Sequence, residues 1–140
     1  DFNNKRIAVP NSVIDKEIIR TAQLAERRAI RNFLLVSVGY DTDVEKAIAI
    51  LQRAVVSHPD FYDTRTEEEA RSGVEKSVDV VVVNLGPASV DLRASVWSKD
   101  AATGFAVLCD LRRTIAKFFE TGELTPPYDS KKVWLHGEQR

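Results

Sequence analysis

An α+β fold, with two amphipathic helices covering one face of an antiparallel sheet, is predicted from three observations. Apolar residues alternate along Val90 to Lys99 and run through Ile30 to Val38, as strands require. They recur at threes and fours over Val44, Ala47, Ile48, Leu51 and Val55, and again over Leu108, Leu111, Ile115 and Phe118 or Phe119, as helices require. Turn and stop signals fall between these runs: His58-Pro59, Gly86-Pro87-Ala88-Ser89, and Gly122 followed by Pro126-Pro127.

Arg6 to Val9 and Glu17 to Thr21 are short apolar-containing runs around Pro10-Asn11-Ser12, a turn signal, so two small strands are expected there. Gln23 to Arg31, with Arg27, Arg28 and Arg31 close together, reads as a partly extended link. In the next strand Ile30, Asn32, Leu34, Val36 and Val38 share one face, and Arg31, Phe33, Leu35 and Ser37 the other. Its later part is mostly apolar, which predicts burial on both faces.

A helix follows from Asp43 and stops at His58-Pro59. Asp60 to Lys76 has charge runs and no sustained period, so a solvated loop with one short helix is expected. Val78 to Leu85 and Val90 to Lys99 form an antiparallel hairpin about the Gly86 to Ser89 turn. Val90, Leu92, Ala94 and Val96 should be its packed face, and Asp91, Arg93, Ser95 and Trp97 its wet one. The last helix begins near Ala102 and ends at Gly122. Lys132 to Leu135 is a candidate terminal strand.

The order β-α-β-β-α is close to a ferredoxin-like split βαβ unit. The expected organisation is a partial β domain and linker over 1–28, a ferredoxin-like sandwich over 29–128, and a tail or barrel strand over 129–140.

At 140 residues and 44% hydrophobic composition, one compact domain with a small appendage is sustainable. Lys and Arg number 20 against 21 Asp and Glu, a net charge of -1, so no general attraction to nucleic acid or anionic lipid exists. A single cysteine, Cys109, cannot make an intramolecular disulfide. The longest apolar stretch, Val78 to Leu85, is broken by Asp79 and Asn84 and falls short of the about 20 residues a membrane-spanning helix needs. A chain that starts at Asp1 and contains no methionine is expected to be part of a longer polypeptide.

The run Asp41-Thr42-Asp43 offers two carboxylates for a metal or a catalytic acid. A calcium loop from Asp41 would need glycine at its sixth position and glutamate at its twelfth, where Lys46 and Gln52 stand. A capping box fits instead, with Thr42 as N-cap, Glu45 three residues on, and Asp43 in the first turn. Neither G-x-G-x-x-G nor a Walker sequence occurs. Cys109 lies in an apolar helical run without a partner base, and His58 with Asp60 and Asp63 reads as a solvated loop. His136 has no informative neighbour. The strands lack the stacking aromatics of an RNA-binding sheet. No catalytic, metal or cofactor residue is expected.

Four motifs in a fixed order carry a family resemblance. "IAVPNSVI" matches an "IPNS" turn at Pro10, Asn11 and Ser12, and "VGYDTDVEKAIAIL" supplies Gly39, Tyr40, Asp41, Thr42 and Asp43. "NLGPASVDLRASVWSK" matches an "LG-x-SSV-x-L" hairpin at Leu85 and Gly86, and "FFETGELTPPY" matches "F-x-x-x-GI-x-IP-(F/Y)P" at Gly122 and Pro126. Together they resemble the cytoplasmic region of small-conductance mechanosensitive (MscS-like) channels.

The resemblance implies a channel opened by membrane tension during hypo-osmotic shock, passing ions and small osmolytes. It further implies a homo-oligomer, a heptamer in the family, with this segment forming a cytoplasmic cage under the inner membrane. Membrane helices would precede Asp1, and Lys132 to Leu135 would add a strand to a shared barrel. It implies no enzyme, cofactor or nucleic-acid partner. Two departures stand out: Ile18-Ile19-Arg20-Thr21-Ala22 replaces a frequent "I-x-N-x-S", and Asp60 to Lys76 is an apparent insertion. Two other classes fit the composition, a soluble module binding a small metabolite at a subunit interface and an enzyme with an unrecognised site.

Overall fold

The computed structural model describes residues 11–127. Its elements are α1 (Asn11–Glu26), β1 (Ile30–Val38), α2 (Val44–Val56), α3 (Glu67–Arg71), β2 (Val80–Leu85), β3 (Val90–Ser98) and α4 (Ala101–Glu120). The sheet order is β1-β3-β2, with β3 antiparallel to both neighbours. β1 and β2 therefore run parallel on either side of β3, the split βαβ arrangement.

α2 and α4 lie against each other on one face of this sheet. The core beneath them joins Leu34, Val36 and Val38 of β1 to Leu92, Ala94 and Val96 of β3. Ile50, Leu51 and Val55 of α2 and Val107, Leu111 and Ile115 of α4 close it from above. Period-2 and period-3.6 apolar patterns meet there, each burying the face its spacing defines. α4 comes close to the sheet at Gly104. A Cβ there would stand 2.6 Å from Asn32 Nδ2 and 2.7 Å from Ser98 Oγ, so only hydrogen fits. Asn32 cannot readily yield, because its amide donates to Val96 O at 2.9 Å and Ser98 Oγ at 3.0 Å.

Three local expectations are corrected. Glu17 to Thr21 is helical, inside α1, and Asn11 and Ser12 begin that helix instead of a turn between strands. The segment contains Lys16, Glu17, Gln23, Leu24 and Ala25, good helix formers without strand alternation, and local propensity prevails where no partner strand is paired. Pro10 and the Arg6 to Val9 strand lie outside the described residues, as does Lys132 to Leu135.

Gln23 to Arg31 is helical through Glu26 and extended only from Ile30, where β1 begins. α1 continues to Glu26 and closes with Ala29 N–H bonded to Leu24 O at 3.0 Å and Arg28 N–H to Ala25 O at 2.9 Å. Arg28 takes φ 59°, the left-handed position of a Schellman cap. Among the described side chains of this helix Leu24 is the one deeply buried, at 2% exposure.

The C-terminal part of β1 is buried on one face only, since Leu35 is 67% exposed. Both helices sit on the Leu34 side, which leaves the Phe33 and Leu35 side uncovered. The short helix expected in Asp60 to Lys76 is α3, held by a Thr66–Glu69 capping box.

Candidate functional site

One end of the sheet gathers most of the motif residues. β1 stops at Val38, and Gly39 N–H donates to Thr125 O at 2.9 Å, so the chain leaving α4 is tied to the chain leaving β1. Gly39 is required by close approach. A Cβ on it would meet Asp41 Oδ1 at 2.7 Å and Pro126 O at 2.8 Å.

Thr42 turns back to the same segment. Its Oγ1 donates to Thr125 O at 3.2 Å and accepts Thr125 N–H at 3.3 Å, while its own N–H donates to Gly39 O at 3.0 Å. This corrects the capping assignment. The N-cap of α2 is Asp43, whose Oδ1 accepts Glu45 N–H at 3.0 Å and Lys46 N–H at 3.3 Å. Both residue types cap well, and the register goes to Asp43 because the threonine hydroxyl is engaged across the fold.

Tyr40 reaches the hairpin, where its hydroxyl donates to Gly86 O at 2.5 Å. Gly86 N–H in turn donates to Ser89 O at 2.8 Å, closing the turn. Beside it Asp91 receives Asn84 Nδ2 at 2.9 Å, Ser37 Oγ at 2.8 Å and Ser89 Oγ at 3.0 Å. These donors, Asn84 foremost, hold its carboxyl below the usual carboxylate range. Leu85 pairs with Val90 and is 67% exposed, and Gly122 lies past the end of α4 at φ 83°, where a side chain would be strained.

Three motifs distant in sequence thus converge: Gly39 to Asp43, Gly86, and Pro126. Asn11 and Ser12 do not join them, being at the start of α1. Thr125 and Asp91 were not singled out from sequence. Thr125 had a signal, its place between the Gly122 stop and Pro126-Pro127, but nothing local names its partner.

The chemistry of this joint is that of a clamp. Asp43 holds the first turn of α2, and Asp91, which accepts three donors, is a weak base at neutral pH. Among the described residues no group of three His, Cys, Asp or Glu is placed to hold a metal ion. His58 contacts Asp110, with Nε2 to Oδ2 at 2.9 Å, and its Nδ1 accepts Asp60 N–H at 2.9 Å. That fixes the tautomer with hydrogen on Nε2 and ties the loop after α2 to α4. Cys109 is half-buried on α4. Among the described residues no helix is long and apolar enough to cross a membrane.

The family model for the C-terminal region of the mechanosensitive ion channel MscS matches residues 34–123. An uncharacterized MscS family protein of Buchnera aphidicola subsp. Schizaphis graminum is 25% identical over 140 residues, covering 99% of this chain and 44% of that protein. A second, from Buchnera aphidicola subsp. Acyrthosiphon pisum, is 25% identical over 136 residues, covering 96% of this chain and 40% of that protein. One from Archaeoglobus fulgidus is 27% identical over 106 residues, covering 76% and 33%. The chain therefore spans less than half the length of these relatives. With the family match running from within β1 past the end of α4, across the sheet and both covering helices, this chain belongs to the MscS mechanosensitive channel family and carries its C-terminal domain.

Proposed function

We propose that this chain forms part of the cytoplasmic cage of a channel that opens under membrane tension and releases ions and small osmolytes in hypo-osmotic shock. The family match over residues 34–123 carries this reading. In it, the domain works as a stiff structural wall rather than as a reactive centre. The clamp at Gly39, Thr42 and Thr125 supports that role, because it ties β1, α2 and the exit of α4 through bonds independent of any ligand. Tension sensing and the gate belong to segments outside residues 1–140. The protein acts as a homo-oligomer, a heptamer on the family pattern, on the cytoplasmic side of the inner membrane and without a nucleic-acid partner.

The test is expression of the full-length gene product in a bacterial strain lacking its own mechanosensitive channels. Survival of a rapid osmotic downshift should rise, and excised membrane patches should show stepwise currents under suction. Full-length protein present in the membrane without tension-activated current would overturn the reading.

A further inference from the structure

The sheet face turned away from α2 and α4 is only partly covered. Cross-strand pairing sets Leu35, Arg93 and Val81 in one row, since Arg93 pairs with Leu35 on one side and Val81 on the other. Phe33 and Ser95 form the next row, and Arg31 and Trp97 the one after. At the Trp97 end Arg20, Tyr62 and Glu69 lie near Ser95 and Trp97 about a shared cavity. At the other end Phe33 is 42%, Val81 45% and Leu35 67% exposed. The β3 part of this face is drier than its alternation predicts, since Ser95 is 5% exposed and Asp91, Arg93 and Trp97 are half-buried; the exposed apolar groups of β1 and β2 beside it mark an interaction site more than chance exposure does.

Two arginines are built into this patch. Arg93 Cζ lies 4.4 Å from the Phe33 ring centroid, and Arg31 Cζ lies 5.3 Å from Phe33 and 5.5 Å from Trp97. Stacking on aromatic faces holds the guanidinium groups in place. Among the described residues neither one pairs with a carboxylate; the ion pairs there are Arg20–Glu69 and Arg65–Asp63. Arg93 Nε is buried and has no acceptor. Asp91, two residues before Arg93 on the same face of β3, is already occupied by Asn84, Ser37 and Ser89.

The same chain carries a complementary surface elsewhere. α3 presents Glu67 and Glu68 to solvent, while Glu69 is engaged by Arg20 at 2.7 Å and by the Thr66 cap. Neither exposed glutamate has a cation partner among the described residues.

We infer that the Phe33–Leu35–Arg93 face docks α3 of a second copy of this chain, with Arg31 and Arg93 meeting Glu67 and Glu68. The contact is heterologous, one patch against a different one, which is the kind that closes into a ring. It rests on the homo-oligomeric reading above and assigns a surface to it. Two arginines in a chain of net charge -1 are too few for a nucleic-acid track, and an apolar row with fixed charges suits a protein partner.

The experiment uses the full-length gene product, with oligomer content read by native mass spectrometry after extraction. Leu35→Lys and Arg93→Glu should each lower the oligomer fraction at least threefold. Combining Arg31→Glu and Arg93→Glu with Glu67→Lys and Glu68→Lys, which reverses both sides of the contact, should restore most of it. Leu35→Cys with Glu68→Cys, in a Cys109→Ala background, should give an oxidant-dependent ladder of cross-linked copies. Leu35 is exposed, so its variant separates an interface defect from misfolding.

An oligomer that persists in Leu35→Lys and Arg93→Glu overturns the inference and leaves the channel reading standing. A wild-type protein that stays monomeric removes both this surface and the homo-oligomeric part of that reading. Cross-linking of Leu35→Cys to an unrelated polypeptide also overturns it.

Discussion

Thr42 and Thr125, 83 residues apart, exchange hydrogen bonds through one hydroxyl: Thr42 Oγ1 donates to the Thr125 carbonyl and accepts the Thr125 N–H. The exchange joins the start of α2 to the segment leaving α4. It therefore closes the helical layer at the end of the sheet where β1 and the hairpin turn also meet.

Removing that hydroxyl leaves the Thr125 N–H without its acceptor, whereas the Thr125 carbonyl keeps Gly39 N–H. Thr42→Val should cost about 1–3 kcal/mol, the penalty for an unpaired polar group. Thr42→Ser, which keeps the donor and acceptor, should stay within about 0.5 kcal/mol of wild type. Urea unfolding followed by far-UV circular dichroism distinguishes the two. Equal loss in both variants would show that the hydroxyl is unimportant.

Asp43 is the cap, and its removal should register as helix loss rather than as opening of the joint. Asp43→Ala is expected to cost about 1 kcal/mol, with Asp43→Asn nearly neutral. Hydrogen exchange should rise at Glu45 and Lys46 N–H, the groups it holds. If exchange rises at those amides in Thr42→Val but not in Asp43→Ala, the cap belongs to threonine.

Gly39→Ala and Gly104→Ala should both destabilise, by about 1–3 kcal/mol each, as overpacked sites do. At Gly39 the added carbon meets a backbone carbonyl, that of Pro126, which cannot rotate aside. At Gly104 the change offers about 1 kcal/mol of helix propensity, but it drives into the hydrogen-bonded Asn32 amide. Thermal melts giving a Gly104→Ala protein more stable than wild type would mean that α4 can move off the sheet.

Acid should loosen α1 from α3 first. The Thr66 backbone N–H and the Arg20 guanidinium lower the Glu69 pKa from 4.5, and Arg65 lowers that of Asp63 from 3.8. A depressed folded-state pKa adds stability that is complete above the unfolded value and is lost as pH falls through the folded one. Stability should thus decline below about pH 4.5, and Glu69→Gln should flatten that decline while lowering stability at neutral pH. A Glu69→Gln protein with an unchanged slope between about pH 5 and 3 would show that this pair contributes nothing.

Both core helices and the hairpin were legible because their signals are local. Leu111 and Ile115 of α4 follow at four, and Val90, Leu92, Ala94 and Val96 at twos, and all are buried as their spacing predicts; one turn earlier in α4 the deeply buried residue is Val107, whereas Leu108 is only partly buried. α1 was not legible. The run Pro10-Asn11-Ser12 has turn chemistry, which outweighed the helical spacing of Ile14, Ile18, Ala22 and Ala25. The capping box was sought at Thr42 and Glu45 and found at Thr66 and Glu69, which have the same spacing. Spacing alone cannot tell which threonine is free to cap its own helix and which is taken elsewhere.

Periodicity and turn chemistry, which act over two to four residues, determined by themselves that this chain makes a β-α-β-β-α layer, and the motifs in order pointed to its family. Only the tertiary structure decided which face of β1 is bare, because that depends on both helices lying over Leu34 rather than Leu35. It also decided that Gly39, Tyr40 and Thr42 work as a clamp with Gly86, Thr125 and Pro126. Contacts across such separations arise from where the end of α4 comes to rest against the end of β1, a position set by the packing of the whole core and by no short stretch of residues.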